Sequence, residues 1–438
     1  MNSNNRVFIT GLGSISTYGV GVDALWKAAN TGTSMYKKIP ESWLNSSAFN
    51  GDIYLNLEEI DYTKFGISRA EQLLYDPSLL NLFIAISESI KSANIKIDLF
   101  NEKKNLFQLL DFDPYKLGVF IGSGNGGIKS LLNNYRFLLL NKYIKETENQ
   151  SLKKLVKLPP FINKFVAAQQ MPNAVSDGVG IKFCVKGEVN STYYACASST
   201  IALGNAFNSI RNGSLDCAIA GGTEYASDHL GVFFKSFDLA GVIAKEVEGT
   251  YRGPFDIRSN GFLFSEGGSG SLILESEQSM NKRGVEPYAE ITGYARTFDA
   301  HNIMSPPEHG DELKRLYHRL LKEAKLKPED VDYINAHGTG TKNDIIEVNV
   351  LNQIFPRKPV VTSSKGVIGH TLGASGSLET IITALSIKNN VIPPSGSLYE
   401  PITSLNLATK SIDTTIQNSI VASSSFGGHN AALMLSAV

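Results

Sequence analysis

Two stretches of the chain repeat one another at a fixed spacing. Ala197-Ser-Ser-Thr-Ile-Ala-Leu-Gly-Asn-Ala-Phe-Asn-Ser-Ile-Arg-Asn212 aligns without a gap to Ala374-Ser-Gly-Ser-Leu-Glu-Thr-Ile-Ile-Thr-Ala-Leu-Ser-Ile-Lys-Asn389, and the offset is 177 at both ends (197 to 374, 212 to 389). Each stretch opens on small residues, closes on a basic residue and Asn, and is apolar around most of its circumference, which predicts two buried helices. Three further echoes follow in the same order. Arg6-Val-Phe-Ile-Thr-Gly-Leu-Gly13 is matched by Tyr288-Ala-Glu-Ile-Thr-Gly293, Leu117–Gly124 by Val331–Gly338, and Asp216–Gly222 by Ser419–Gly428. All are short β-branched or apolar runs that end in small residues or glycine, the pattern of buried strands. The chain therefore reads as two similar α/β halves, 1–285 and 286–438, divided at Asn281-Lys-Arg-Gly-Val-Glu-Pro287. Strand–helix alternation in each half predicts layered sheets covered by helices. Pseudo-symmetry would bring the amino ends of the two buried helices together, with Cys196 and His370 just ahead of them.

The 438 residues carry a net charge of −1, which gives the whole molecule no bias toward nucleic acid or an anionic membrane. No run approaches the roughly 18 apolar residues that a membrane helix needs, and the amino terminus has no charged-then-apolar signal pattern. Three cysteines, Cys184, Cys196 and Cys217, are too few for a disulfide framework and suit a reducing, cytoplasmic setting. Local charge is less even. Between Lys129 and Lys164, Lys129, Arg136, Lys142, Lys145, Lys153, Lys154, Lys157 and Lys164 face only Glu146 and Glu148. This insertion, which has no counterpart in the second half, reads either as a solvated face or as a docking surface for an acidic partner.

Cys196 lies at the start of the first buried helix, where the positive end of the helix dipole favours thiolate and hence nucleophilicity. Cys184 and Cys217 lie in apolar strand-like runs and are assigned no chemistry. His337 closes a strand and leads into Gly338-Thr-Gly-Thr341, and His370 lies between a strand and the second buried helix. A single histidine is more often structural than catalytic, but both are followed or preceded by glycines that open space beside them. Gly122-Ser-Gly-Asn-Gly-Gly127 follows a strand, yet its glycine spacing does not fit a dinucleotide fingerprint. No Walker loop, HExxH or CxxC motif is present.

Taken in order, Ile9-Thr-Gly-Leu-Gly13, Ala195-Cys-Ala-Ser198, Ala220-Gly-Gly-Thr-Glu224, Arg252-Gly-Pro-Phe-Asp256, Asn335-Ala-His-Gly-Thr-Gly-Thr341, Lys365 with Gly369-His-Thr-Leu-Gly373, and Phe426-Gly-Gly-His-Asn430 make the chain similar to the β-ketoacyl-ACP synthases of the thiolase superfamily. The resemblance runs from about Arg6 to Leu435. It implies a duplicated, thiolase-like α-β-α-β-α layered fold and a decarboxylative condensation. Cys196 would take an acyl group from the phosphopantetheine thioester of an acyl carrier protein. His337 and His370 would then promote decarboxylation of malonyl carrier protein, and the enolate would attack the Cys196 thioester. The resemblance further implies an oxyanion hole of the Cys196 and Phe426 amides, pantetheine contacts from Thr339 and Thr341, and a Lys365 that orders the histidines and pairs with Glu379. It implies no metal and no resident cofactor, since phosphopantetheine arrives with the substrate. The family is dimeric, so a homodimer or a heterodimer with a chain-length-factor homologue is expected. Carrier proteins are acidic, which turns the basic insertion, with Lys153, Lys154 and Lys157, into the expected docking surface.

Three departures tilt the resemblance from fatty-acid elongation toward type II polyketide or polyene ketosynthases. Nine residues separate His337 from Glu347, one fewer than in the usual fatty-acid enzymes. Asn125 stands where an apolar residue normally lines the acyl pocket. The tail reads Ser423-Ser-Ser-Phe-Gly-Gly428. A non-catalytic chain-length-factor subunit would lack the nucleophile, which Cys196 supplies. A degradative thiolase would need a second cysteine near the carboxyl terminus, and none follows Cys217.

Overall fold

The computed structural model describes residues 5–44, 48–147 and 163–438. The opening apolar run forms the strand Val7–Ser16, buried at all of its positions, and it pairs antiparallel with Ala289–Phe298 through Val7–Ile291, Phe8–Glu290 and Ile9–Ala289. These two strands are the shared Ile-Thr-Gly echoes. Each breaks its register at that tripeptide, between Ile9 and Gly11 in one and Ile291 and Gly293 in the other. The repeated motif is thus a pair of matched β-bulges, in which one residue is left out of the ladder.

Outward from this central pair the sheet repeats. On one side lie Gly267–Ser276, Cys217–Tyr225, Leu117–Gly122 and Val189–Thr192 in turn. On the other lie His429–Ser436, Asn418–Ser424, Tyr333–Asn335 and Val360–Thr362, with Asn406–Leu407 at the edge. On both sides the first two contacts are antiparallel and the next two parallel. Pro77–Ser92 covers the outer face of the first half and Asp311–Ala324 that of the second, each over its own apolar core. The two helices expected from the echo are Ser198–Arg211 and Ser375–Asn389. The first lies on Leu117–Gly122 and Cys217–Tyr225, the second on Asn418–Ser424 and Gly267–Ser276, and each also packs on the other. The architecture is the duplicated, layered α/β arrangement that the resemblance implies.

Close approach of the two helices depends on their small residues. A Cβ at Gly376 would stand 1.9 Å from Thr200 Oγ1, the Ser377 amide donates to Ser199 Oγ at 3.0 Å, and Thr200 Oγ1 shares a 2.7 Å hydrogen bond with Ser423 Oγ. A single turn of 3-10 helix precedes each, Ala195–Ala197 and Leu372–Ala374. Each turn opens on a residue in the left-handed region, Ala195 at φ 46° and Leu372 at φ 51°. Those positions are again 177 apart. A non-glycine residue there costs on the order of 1–2 kcal/mol, and both turns present their next residues toward the join between the halves. Among the described residues no helix is long and apolar enough to cross a membrane.

Candidate active site

Cys196 occupies the middle of the first 3-10 turn, directly ahead of Ser198–Arg211. Ser198 Oγ accepts the Tyr194 amide at 2.8 Å and donates to the Ala195 carbonyl at 2.7 Å, which ties the turn across Cys196. The thiol opens on a cavity that His337, His370, Thr339, Thr341 and Phe426 also line. Residues of both halves, separated by up to 230 positions, therefore meet around one sulfur. Burial pushes the Cys196 thiol up to about 12, against a lowering by the Lys365 charge. The helix start had suggested a thiolate. Burial of the sulfur outweighs the helix start, and the thiol is held neutral.

The two imidazoles stand edge to face with ring centroids 5.9 Å apart. Burial lowers the proton affinity of both, and the Lys365 charge lowers it further, so both are neutral near pH 7. For His370 the tautomer is fixed by geometry. Its Nδ1 accepts the Leu372 amide at 3.1 Å, so the ring hydrogen lies on Nε2. His337 presents a buried Nδ1 with no hydrogen-bond partner among the described residues. Its backbone is held instead: the His337 and Gly338 amides donate to the two oxygens of Glu347 at 2.9 and 2.8 Å.

Lys365 is buried and donates to the His337 carbonyl at 2.8 Å and to the Glu379 carboxylate. Burial raises Glu379, and the Lys365 charge opposes that shift. Removing one member of such a pair leaves the other as a buried unpaired charge. Lys365→Ala is therefore expected to cost about 3–5 kcal/mol of stability, measured by denaturant unfolding. An unchanged midpoint would mean that the pair contributes nothing to the fold.

Thr339 Oγ1 and Thr341 Oγ1 are 3.0 Å apart at the cavity wall. Their loop is wound around Asp344, whose oxygens accept the Thr339 and Gly340 amides, each at 2.9 Å, and the Thr339 hydroxyl at 3.1 Å. In the loop before His429–Ser436, the Ser425 amide donates to the His429 carbonyl, Gly427 to Ile303 and Gly428 to Ser425. No backbone partner for the Phe426 amide is found among the described residues, and Phe426 lines the same cavity as Cys196.

Other expected positions are not gathered here. Asn125 is exposed, lies outside the cavity lining, and donates its side-chain amide to Glu224 at 3.4 Å. Lys153, Lys154 and Lys157 lie outside the described residues. Of the rest of the basic insertion, Lys129 turns inward to donate to the Ser227 carbonyl at 2.6 Å, and Lys142 pairs with Glu146 at 3.9 Å.

Three buried carboxylates were not singled out as site residues from sequence: Glu224, Asp344 and Glu347. Burial pushes Glu224 and Glu347 up to about 7 each, against the backbone amides they accept, and raises Asp344 too. Glu224 and Glu347 had entered only as motif members or spacing marks. An acid at the end of a strand as apolar as Cys217–Tyr225 was the signal available for Glu224, since a buried carboxylate must find donors.

Residues 4–279 match the family model for the N-terminal domain of β-ketoacyl synthases, and residues 288–398 the model for the C-terminal domain. A 3-oxoacyl-[acyl-carrier-protein] synthase 2 of Staphylococcus aureus strain N315 is 30% identical over 441 residues, covering 99% of each chain. The synthase of the same name from Synechocystis is 31% identical over 443 residues, covering 98% of this chain and 97% of the relative. Among solved structures, a type II polyketide ketosynthase, in complex with its acyl-carrier protein and bound to the hexaketide, superposes with a TM-score of 0.83 at 25% identity, covering 99% of this chain and 100% of the other. A β-ketoacyl synthase from Burkholderia phymatum gives a TM-score of 0.82 at 24% identity over the same shares.

Proposed function

This chain belongs to the β-ketoacyl synthase family and is a β-ketoacyl-ACP synthase, and we propose that Cys196, His337 and His370 carry its condensation in the cavity they share. The supporting observation is the meeting of one thiol and two neutral imidazoles at a single wall. In the first step Cys196 Sγ attacks the acyl thioester. A carbon–sulfur bond to the enzyme forms, the bond to pantetheine breaks, and the thiol proton leaves with the released pantetheine thiol. The oxyanion of that step lies against the amides of Cys196 and Phe426. Malonyl carrier protein then enters along Thr339 and Thr341, whose hydroxyls hold the pantetheine amides. His370 Nε2–H and the His337 ring hydrogen-bond the malonyl thioester oxygen, so that carbon dioxide leaves as negative charge gathers there. The enolate carbon attacks the Cys196 thioester, the new carbon–carbon bond replaces the carbon–sulfur bond, and the sulfur takes up one proton. Lys365 and Glu379 order the histidine side of the cavity.

Incubating the enzyme with acyl carrier protein and digesting it should give a Cys196 peptide heavier by the acyl group in mass spectrometry. An unmodified Cys196 in an active preparation would end this reading.

Within it, the chain divides near residue 285 into two thiolase-like halves, acts as a dimer of two copies or with a homologue lacking the nucleophile, and meets its carrier protein on the basic insertion. Reversing the charge of Lys153, Lys154 and Lys157 together should weaken carrier binding about 10-fold or more at low salt, and less at high salt. Equal affinity at all salt concentrations would remove the insertion from the docking surface. The short His337–Glu347 spacing and the Ser423–Gly428 tail favour polyketide or polyene chains as substrates. Faster acylation by an unreduced β-ketoacyl carrier than by a long saturated one is the expected result, and the reverse order would assign the enzyme to fatty-acid elongation.

A further inference from the structure

Glu224 is a fully buried carboxylate without a part in these steps. Glu224 is the penultimate residue of the strand Cys217–Tyr225 and has no exposed surface. Its Oε2 accepts the Gly124 amide at 2.7 Å, from the first half, and the Gly373 amide at 3.1 Å, from the second. A Cβ placed on Gly373 would stand 2.2 Å from the Gly124 nitrogen, so the two backbones are pressed together over this one oxygen. The residue before Gly373 is Leu372, in the left-handed region, and its amide is the donor to His370 Nδ1. The remaining group near that nitrogen is the Ser375 hydroxyl at 3.4 Å. A hydroxyl either donates or accepts and leaves the tautomer open, whereas an amide only donates.

We propose that Glu224 is a positioning residue for decarboxylation: by gripping the Gly373 amide it holds the strained Leu372 turn, and the Leu372 amide thereby keeps the His370 hydrogen on Nε2, facing the malonyl thioester. The inference rests on the reading of His370 as a hydrogen-bond donor to that oxygen. Without the grip, the turn relaxes toward the ordinary backbone regions, the amide swings off Nδ1, and His370 passes to a mixture of tautomers. In the second tautomer, Nε2 offers a lone pair where the developing negative charge needs a hydrogen.

Glu224→Gln is the direct test, because its size is kept while one acceptor oxygen becomes an NH2 group facing backbone amides. Carbon dioxide release from malonyl carrier protein should fall about 10-fold or more in kcat with KM unchanged. Acylation of Cys196 should stay within about 2-fold of the original. In the His370→Ala background the same substitution should add nothing, since its effect runs through that ring. Nitrogen-15 spectra of histidine-labelled enzyme should show His370 changing from one neutral tautomer to two. Equal loss of acylation and decarboxylation, or an undiminished effect in the His370→Ala background, would overturn the proposal and leave the site reading intact. Wild-type carbon dioxide release by His370→Ala alone would instead overturn the site reading. Should Glu224→Gln not fold, Glu224→Asp, which withdraws the carboxylate by one methylene, carries the same expected split and the same refutation.

Discussion

Replacing Cys196 with alanine is expected to reduce condensation by at least about 10⁴-fold, because the nucleophile cannot be bypassed by positioning alone. The side chain is small and sits in a turn whose backbone is held by Ser198, so the variant should fold. Decarboxylation of malonyl carrier protein should survive, since both imidazoles, Lys365 and Glu379 are untouched. The pair of readouts separates chemistry from collapse: carbon dioxide continues to form while no carbon–carbon bond does. Product formation at an unaltered rate would remove Cys196 from the mechanism. Loss of both activities in a folded variant would mean that the sulfur also supports the malonyl step.

The second large effect concerns His370. Removal of a hydrogen bond aimed at developing oxyanion charge costs on the order of 10²–10³-fold. His370→Ala should lose carbon dioxide release by that factor, while Cys196 still accepts an acyl group. His337→Ala should behave alike, with an added loss if its unpartnered Nδ1 is satisfied only by substrate. Because both rings are neutral before substrate arrives, the rate should not fall as pH rises through the ordinary histidine range near 6.5. A decline there would assign an imidazolium to the reaction, against the direction that burial and Lys365 impose.

Much of this arrangement was legible in the chain itself. The offset of 177 located both helices, while the left-handed residues Ala195 and Leu372, which share that offset, lie ahead of the aligned stretches and were not announced by it. The Ile-Thr-Gly echo announced two matching strands but not the paired bulges within them, which depend on local backbone geometry. The buried acids were harder to read. Asp344 and Glu347 serve by accepting backbone amides, and amides carry no mark in a sequence. Charge counting misled for Lys129, whose ammonium is bonded to the Ser227 carbonyl: a local excess of lysine says nothing of where each side chain points. Asn125 was assigned by position in a motif, while its exposure and its distance from the cavity lining depend on how the Gly-rich turn leaves the strand.

The repeat is imperfect at one decisive place. The counterpart of Cys196 in the second helix start is Gly373, and the Gly124 backbone leaves no room there for any side chain. Under the proposed mechanism the two related helix starts would hold one reactive atom between them. Donor and extender would then take turns on a single covalent seat, and the released carrier would have to depart before its successor is served. Ping-pong kinetics, with each carrier competing against the other in excess, are the consequence expected of that glycine.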